Sequence, residues 1–257
     1  HSNRSVLVKG KTLYIGDTHS DFETMETLAR FVLQKMPDIQ RVVQVGDFGF
    51  WPDFSISYWY QQSTLPVPVY FIDGNHEQFP ELGLDSSPIP AKKSPIYDAF
   101  HIPRGYCESG VFYMGGADSP DKEYRKEGID WFSEENLRRK DIENAYANLS
   151  ANEGPVHVMV CHETTEGAFP LIRRPHWAVG DDNRLALEKF FKQIKPRLFV
   201  HGHYHFYRRY EHEGCAFVSL RNVDRFHFEL LEGPVRLLSI VQECCLVADE
   251  QGRIFAI

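Results

Sequence analysis

Thr12-Leu13-Tyr14-Ile15-Gly16-Asp17-Thr18-His19 reads as a short buried strand that breaks at glycine and delivers a carboxylate and an imidazole to the loop beyond. One residue separates Asp17 from His19, so both side chains can point into the same space above a sheet. A lone D-x-H match is common by chance. Its weight depends on whether other strand ends supply a matching set.

They do. Asp21 can cap a helix whose apolar positions, Phe22, Met25, Leu28, Ala29, Val32 and Leu33, recur at three- and four-residue steps until Pro37 stops it. Arg41-Val42-Val43-Gln44-Val45 is then a β-branched run closed by Gly46-Asp47. A β-α-β unit of this length implies parallel strands with a right-handed crossover. Pro52 to Thr64 is aromatic and helix-compatible, and Pro66 to Ile72 makes a third buried strand ending in Asp73-Gly74-Asn75-His76-Glu77. In open α/β sheets ligands bind outside the carboxyl ends of the strands, so three polar clusters at three such ends form one site.

The pattern continues downstream. Leu82 to Lys93 is expected to be a loop, Tyr97 to Ile102 and Cys107 to Met114 strands, and Ser133-Glu134-Glu135-Asn136 the start of a helix running to about Ser150. Val156 to Cys161 is a strand that delivers His162-Glu163, followed by an insertion, Thr164 to Gly180, containing Arg173-Arg174-Pro175-His176-Trp177. A helix from Asp181 carries Leu185, Leu187, Phe190, Phe191 and Ile194, and Arg197 to Val200 is a strand ending in His201-Gly202-His203-Tyr204-His205. The tail reads as five strands: Cys215–Leu220, Arg225–Leu231, Val235–Val241, Cys244–Ala248 and Arg253–Ile257. There is no internal repeat, low-complexity tract or linker, and the expectation is one domain over residues 1–257.

Bulk composition sets limits. With 257 residues and 42% hydrophobic content the chain can bury one large core. No apolar stretch approaches the ~20 residues needed to span a bilayer, and no signal-peptide pattern is present; a cytoplasmic location is expected. The opening His1 in place of Met leads us to expect that the natural start lies upstream. A formal net charge of -8 and the lack of a basic stripe speak against a long nucleic acid as partner. A small nucleotide stays open, because bound metal ions reverse the sign of a site locally. Five cysteines without a C-x-x-C pair suit a reducing compartment.

The strand-end groups, in order, are Asp17, His19, Asp47, Asn75, His76, His162, His203 and His205. All but His76 are candidate metal ligands, offering imidazole nitrogen and oxygen donors that suit Mn, Fe, Zn, Ni or Co better than an all-oxygen Ca site. Seven donors are too many for one ion and about right for two that share a bridging carboxylate.

At this point the chain resembles the calcineurin-like metallophosphoesterases, whose blocks are D-x-H, G-D, G-N-H-[ED], H and G-H-x-H. Here they stand in order as Asp17-Thr18-His19, Gly46-Asp47, Gly74-Asn75-His76-Glu77, His162 and Gly202-His203-Tyr204-His205. The resemblance implies an α/β fold, a four-layer α-β-β-α sandwich of two mixed sheets, around two divalent metal ions, Mn2+ first, with Fe, Zn, Ni, Co or Mg as alternatives. It implies that one ion is held by Asp17, His19, Asp47 and His205, and the other by Asp47, Asn75, His162 and His203. His76 resembles the general acid that protonates the leaving alkoxide after attack by a metal-bridging hydroxide.

The chain also departs from the protein phosphatase branch. That branch carries an Asp and an Arg three and four residues after the G-D aspartate, and an Arg just before G-N-H-E. Those positions are Phe50, Trp51 and Asp73 here. Losing two guanidiniums that grip phosphate bidentately argues against a phosphoprotein substrate. Phe48 and Trp51 are instead candidates for stacking on a nucleobase. Gly115-Gly116-Ala117-Asp118-Ser119-Pro120-Asp121-Lys122-Glu123-Tyr124-Arg125, with Trp131-Phe132, resembles a bacterial and phage subgroup, and offers Lys122 and Arg125 as a replacement clamp. Arg173 and His176 are candidates for substrate contact from the insertion.

The reading that follows is a metal-dependent phosphoesterase acting on phosphodiesters, (cyclic) nucleotides among them. A phosphomonoesterase or Ser/Thr protein phosphatase is the alternative, and a non-catalytic scaffold on the same fold is the alternative of another class. Oligomeric state cannot be read from these residues.

Overall fold

Alternation along the strands decides which way each sheet faces. In β1 (Lys11–Ile15) Leu13 and Ile15 enter one core and Tyr14 another; in β2 (Ile39–Gln44) Val42 and Val43 divide the same way. Both faces are therefore buried, as a parallel sheet requires. The computed structural model describes residues 9–52, 61–84, 92–172, 182–223 and 234–257.

β1, β2, β3 (Val69–Phe71) and β5 (Ala99–His101) run parallel, with β4 (Lys92–Lys93) antiparallel at one edge. β12 (Cys245–Ala248) and β13 (Ile254–Phe255), from the tail, close the other edge antiparallel, giving seven strands in the order β13-β12-β1-β2-β3-β5-β4. The second sheet has six strands. β7 (Val111–Met114), β8 (Val158–Cys161), β9 (Leu198–His201) and β11 (Cys215–Ser219) are parallel, flanked by β6 (Cys107–Glu108) and β10 (Arg208–His212).

Tyr14, Val43, Val45 and Ile72 from the first sheet meet Val111, Tyr113, Val160 and Val200 from the second in one buried cluster between the sheets. The outer face of the first sheet is covered by α1 (Phe22–Lys35), through Met25, Leu28 and Val32, and by α5 (Pro234–Cys244), through Val241 and Cys244. The outer face of the second is covered by α3 (Arg139–Ala151) and α4 (Asp182–Ile194), where Ala145, Leu187 and Phe190 pack on Phe112, Met159 and Phe199. The result is four layers, α-β-β-α, as expected. Asp21 caps α1 by accepting the Thr24 amide, 3.1 Å away. α2 (Phe79–Leu82) is a single turn.

Three local expectations are corrected, and a strand is added. Cys107 to Met114 is a hairpin, not one strand: Ser109 (φ 52°) and Gly110 (φ 82°) are both left-handed, the signature of a two-residue turn. Ser133–Glu135 is only a 3-10 turn, and the helix begins at Arg139 because Asn136 is extended. Val235 to Val241 belongs to helix α5. Pro234 opens it, and Leu237, Ile240, Val241 and Cys244 repeat at helical spacing. β10 went unforeseen, since an exposed edge strand of Arg208-Arg209-Tyr210-Glu211-His212 has no apolar alternation. The expected strand Arg225–Leu231 lies outside the described residues, as does most of the aromatic segment after Pro52; residues 61–68 carry no helix. Among the described residues no helix is long and apolar enough to cross a membrane.

Candidate metal centre

Five parallel strands, β1, β2 and β3 of one sheet and β8 and β9 of the other, end side by side and deliver the polar groups predicted above. Asp17 and His19 follow β1, Asp47 lies just beyond β2, Asn75 and His76 beyond β3, His162 follows β8, and His203 and His205 lie beyond β9. One ligand atom each from Asp17, His19, Asp47 and His205 lies within 4.8 Å of the others. Asn75 Oδ1 is 3.2 Å from His162 Nε2, which stands 3.3 Å from Asp47 Oδ1. The rings of His162 and His203 meet edge-on at 5.1 Å.

Charge is the telling feature. Asp17 and Asp47 are buried, and the ion-pair partners found for them among the described residues are imidazoles: His205 and His162 for Asp17, at 3.2 and 4.0 Å, and His162 and His19 for Asp47, at 3.3 and 3.8 Å. Two buried carboxylates require countercharge. Burial pushes His162 down, but Asp47 and then Asp17 more than offset it and raise it to about 10, the mark of a site that calls for positive charge. His162 Nδ1 donates to Val45 O at 2.9 Å, which leaves Nε2 directed at Asp47 and Asn75. The donor set of imidazole nitrogens and oxygens fits divalent transition metals.

The backbone is bent to serve this arrangement. His19, Asp47, His203 and His205 have φ of 44°, 53°, 68° and 58°, conformations that side-chain-bearing residues seldom adopt and that cluster at functional sites. Two glycines of the motifs are explained by close approach. A Cβ on Gly202 would stand 2.0 Å from Asp17 Oδ1, and one on Gly74 would stand 2.1 Å from Asp47 Oδ1. Asp17 accepts the His203 amide at 3.1 Å, and Asp47 Oδ1 accepts those of Asn75 and His76 at 2.8 and 2.9 Å.

His76 lies at the rim. Its ring is 5.2 Å from that of His19, and its Nε2 is 3.2 Å from a guanidinium nitrogen of Arg125. Arg125 has only donors, so Nε2 accepts in this geometry. Burial lowers the His76 pKa, against the pull of Asp47 and with a further push from Arg125. Arg125 is held in turn by Asp121, whose Oδ2 accepts from Nε and Nη2 at 2.8 and 2.7 Å.

The remaining predicted contacts divide. Phe48 is wholly buried and stacks on Phe71 at 4.0 Å beneath Phe22 of α1, so the expectation that it offers a face to a nucleobase is corrected. Phe50 is core as well. Trp51 is half-buried, and its indole N–H donates to the His76 carbonyl at 2.9 Å. Lys122 gives its ammonium to both oxygens of Asp118, at 2.8 Å each, on an exposed turn. Arg173 and His176 lie outside the described residues. Asp73 does not face the site: buried, it pairs with Arg104 at 2.7 Å and His101 at 3.0 Å. Burial works against its ionisation, but the charge of Arg104 and the His101 hydrogen bond hold it well below the usual carboxylate range.

Several supporting groups went unpredicted. Glu77 accepts the amides of Phe48 and Phe50 at 2.8 and 2.5 Å, fixing the loop after Asp47; its place in the G-N-H-E block was a usable signal. Glu163 stands behind His203, its Oε2 3.7 Å from Nε2, and takes the Tyr204 hydroxyl. Ser119 joins Asn75 to Glu135. Nothing local in the sequence marks Arg104 or Glu135.

A family model described as calcineurin-like phosphoesterase matches residues 10–207. No curated protein matches the chain. One solved structure superposes over 96% of this chain and 98% of its own with a TM-score of 0.53 at 11% identity, a likeness of fold alone. The chain is also similar to the TT1561 protein of Thermus thermophilus (10% identity, 84% and 91% of the two chains covered, TM-score 0.45). It is similar as well to the phosphopantetheinyl hydrolase of Mycobacterium tuberculosis (18%, 84% and 91%, 0.37).

Proposed function

The chain belongs to the calcineurin-like phosphoesterase family and is a phosphoric ester hydrolase, and from that premise we propose that its substrates are phosphodiesters, (cyclic) nucleotides among them. The observation that carries the reading is the cation environment of the site. The positions where the protein phosphatase branch has its Asp and two Arg are taken here by a core Phe50, a Trp51 bonded to backbone, and a buried, ion-paired Asp73. One guanidinium, that of Arg125, is found against a site residue among the described residues. A monoanionic diester needs less countercharge than a dianionic monoester.

Asp17, His19, Asp47 and His205 would hold one divalent ion, and Asp47, Asn75, His162 and His203 the other. Mn2+ is the first choice. Two such ions supply Lewis acidity at the phosphoryl oxygens and activate water. The chain's own groups do the rest. Arg125 would turn from His76 Nε2 to a phosphoryl oxygen, which frees His76 to carry a proton to the leaving alkoxide. Asp121 keeps the guanidinium at that rim. The pairing of tail strand β12 with β1 favours treating the whole chain as one domain.

The test is a ratio of kcat/KM on bis(4-nitrophenyl) phosphate and 4-nitrophenyl phosphate with Mn2+, followed by a screen of nucleotide mono- and diesters. The expected result is a diester preference. A strong preference for the monoester would overturn the substrate assignment while leaving the family untouched.

A further inference from the structure

An asparagine that ligates a metal faces a difficulty that a carboxylate does not. Its oxygen and nitrogen are close in size, and only the oxygen can bind, so something must decide which of them faces inward. Asn75 Nδ2 lies 3.0 Å from Ser119 Oγ, and Ser119 Oγ lies 2.6 Å from Glu135 Oε2. The Ser119 amide donates to the other carboxylate oxygen at 2.6 Å. All three residues are buried.

A hydroxyl has a single hydrogen. An ionised Glu135 only accepts, so Ser119 must give its proton to Glu135 and can offer Asn75 nothing but lone pairs. Asn75 must then turn its NH2 group toward Ser119, and its Oδ1 faces His162, 3.2 Å from Nε2. We propose that Glu135 and Ser119 are positioning residues that set the amide orientation of Asn75, so that its oxygen, not its nitrogen, faces the metal centre. This rests on the reading of Asn75 as a ligand of the second ion.

The relay is itself held firmly. Arg104 donates to the carbonyls of Glu134 and Glu135 at 2.9 and 3.1 Å, and the amide of Ala117 donates to the Glu135 carbonyl at 3.2 Å. Arg104 also pairs with Asp73, two residues before Asn75. The segment from Gly115 to Glu135 therefore serves two ends of the site, Asn75 through Ser119 and His76 through Arg125.

The decisive variant is Glu135→Gln, which keeps the shape and reverses the polarity. Its amide can donate to Ser119, whose hydroxyl then donates onward and draws the Asn75 oxygen away from the metal. Mn2+ affinity and stoichiometry are measured at pH 8, because burial raises Glu135 to about 7. Glu135→Gln is expected to weaken the second ion by about 10–100-fold and leave the first unchanged.

Asn75→Asp supplies the diagnostic. A carboxylate presents oxygen on both sides, so the Glu135→Gln/Asn75→Asp pair should regain the second ion. Asn75→Asp alone, which sets an acceptor against the Ser119 lone pairs, should weaken it. A merely structural role for Glu135 predicts no such rescue, and its absence overturns the proposal, as does a Glu135→Gln protein that holds both ions with unchanged affinity. If Glu135→Gln does not fold, Ser119→Ala with and without Asn75→Asp carries the same test, with the same outcomes. Should Asn75→Ala leave second-ion binding unchanged, it is the ligand assignment that fails, and the relay with it.

Discussion

Asp47 concentrates more of the site than any other side chain. Its Oδ1 accepts two backbone amides and approaches His162, its Oδ2 approaches His19 at 3.8 Å, and its own φ is 53°. A side chain that reaches both proposed ligand sets should take both with it. Asp47→Ala is expected to lose both ions by metal analysis, and activity on the order of 10⁴-fold; a variant that still retained two ions would exclude Asp47 as the bridge. His76 differs in kind. Replacing it by Ala should leave metal content intact and slow esters of poorly acidic alcohols by about 10²–10⁴-fold. Nitrophenyl esters should be little affected, since nitrophenolate leaves without a proton. Equal slowing of both would end its assignment as the acid.

At the scale of the elements, the site is a property of strand ends and of the glycines that let them crowd together. Gly202 brings the turn after β9 against the Asp17 carboxylate with no room for a methyl group. Gly202→Ala should displace that carboxylate and weaken the first ion by about 10–100-fold, with the fold retained by circular dichroism. Wild-type affinity in that variant would mean that the turn yields where the contacts say it cannot. The strands and helices lining the site were legible from local pattern: β1 and β2 are short apolar runs that break at glycine, and α1 and α4 repeat at three to four residues. Elements away from the site were read less well. Val235 to Val241 is β-branched and apolar enough for either state, and its helical spacing becomes decisive only with Cys244 included. β10 is polar because it lies at an edge, and so it left no pattern.

At the scale of the whole molecule, one guanidinium links the two sheets' loops. Arg104 is buried and reaches Asp73 after β3, Asp141 in α3 and the carbonyls of Glu134, Glu135 and Asn136. Removing one member of a buried ionic network leaves the others uncompensated. Arg104→Met should cost about 3–5 kcal/mol in urea unfolding. The pH dependence has a definite sign. Burial works against ionisation of Asp141, but the Arg138 hydrogen bond and the Arg104 charge hold its pKa below the ordinary value. A depressed carboxylate stabilises the fold fully above its unfolded pKa, about 3.9, and that stability is lost as pH falls through the folded value. Wild type should therefore lose stability more steeply than Arg104→Met below about pH 4. Parallel acid limbs would show that the network is not what holds Asp141.

The sequence by itself determined the chemistry: which donors stand at strand ends, in what order, and hence the family and the four-layer fold. Those features are local, because a strand, a glycine and a ligand are neighbours along the chain. Only the tertiary structure decided the fate of Phe48, a core residue where a stacking surface was expected, and of Asp73, taken by a partner 31 residues away. It alone set Ser119 and Glu135 behind Asn75. Burial and partnership depend on which face of a sheet a side chain takes and on what the other layer brings against it. Neither is encoded within a few residues, so both had to wait for the fold.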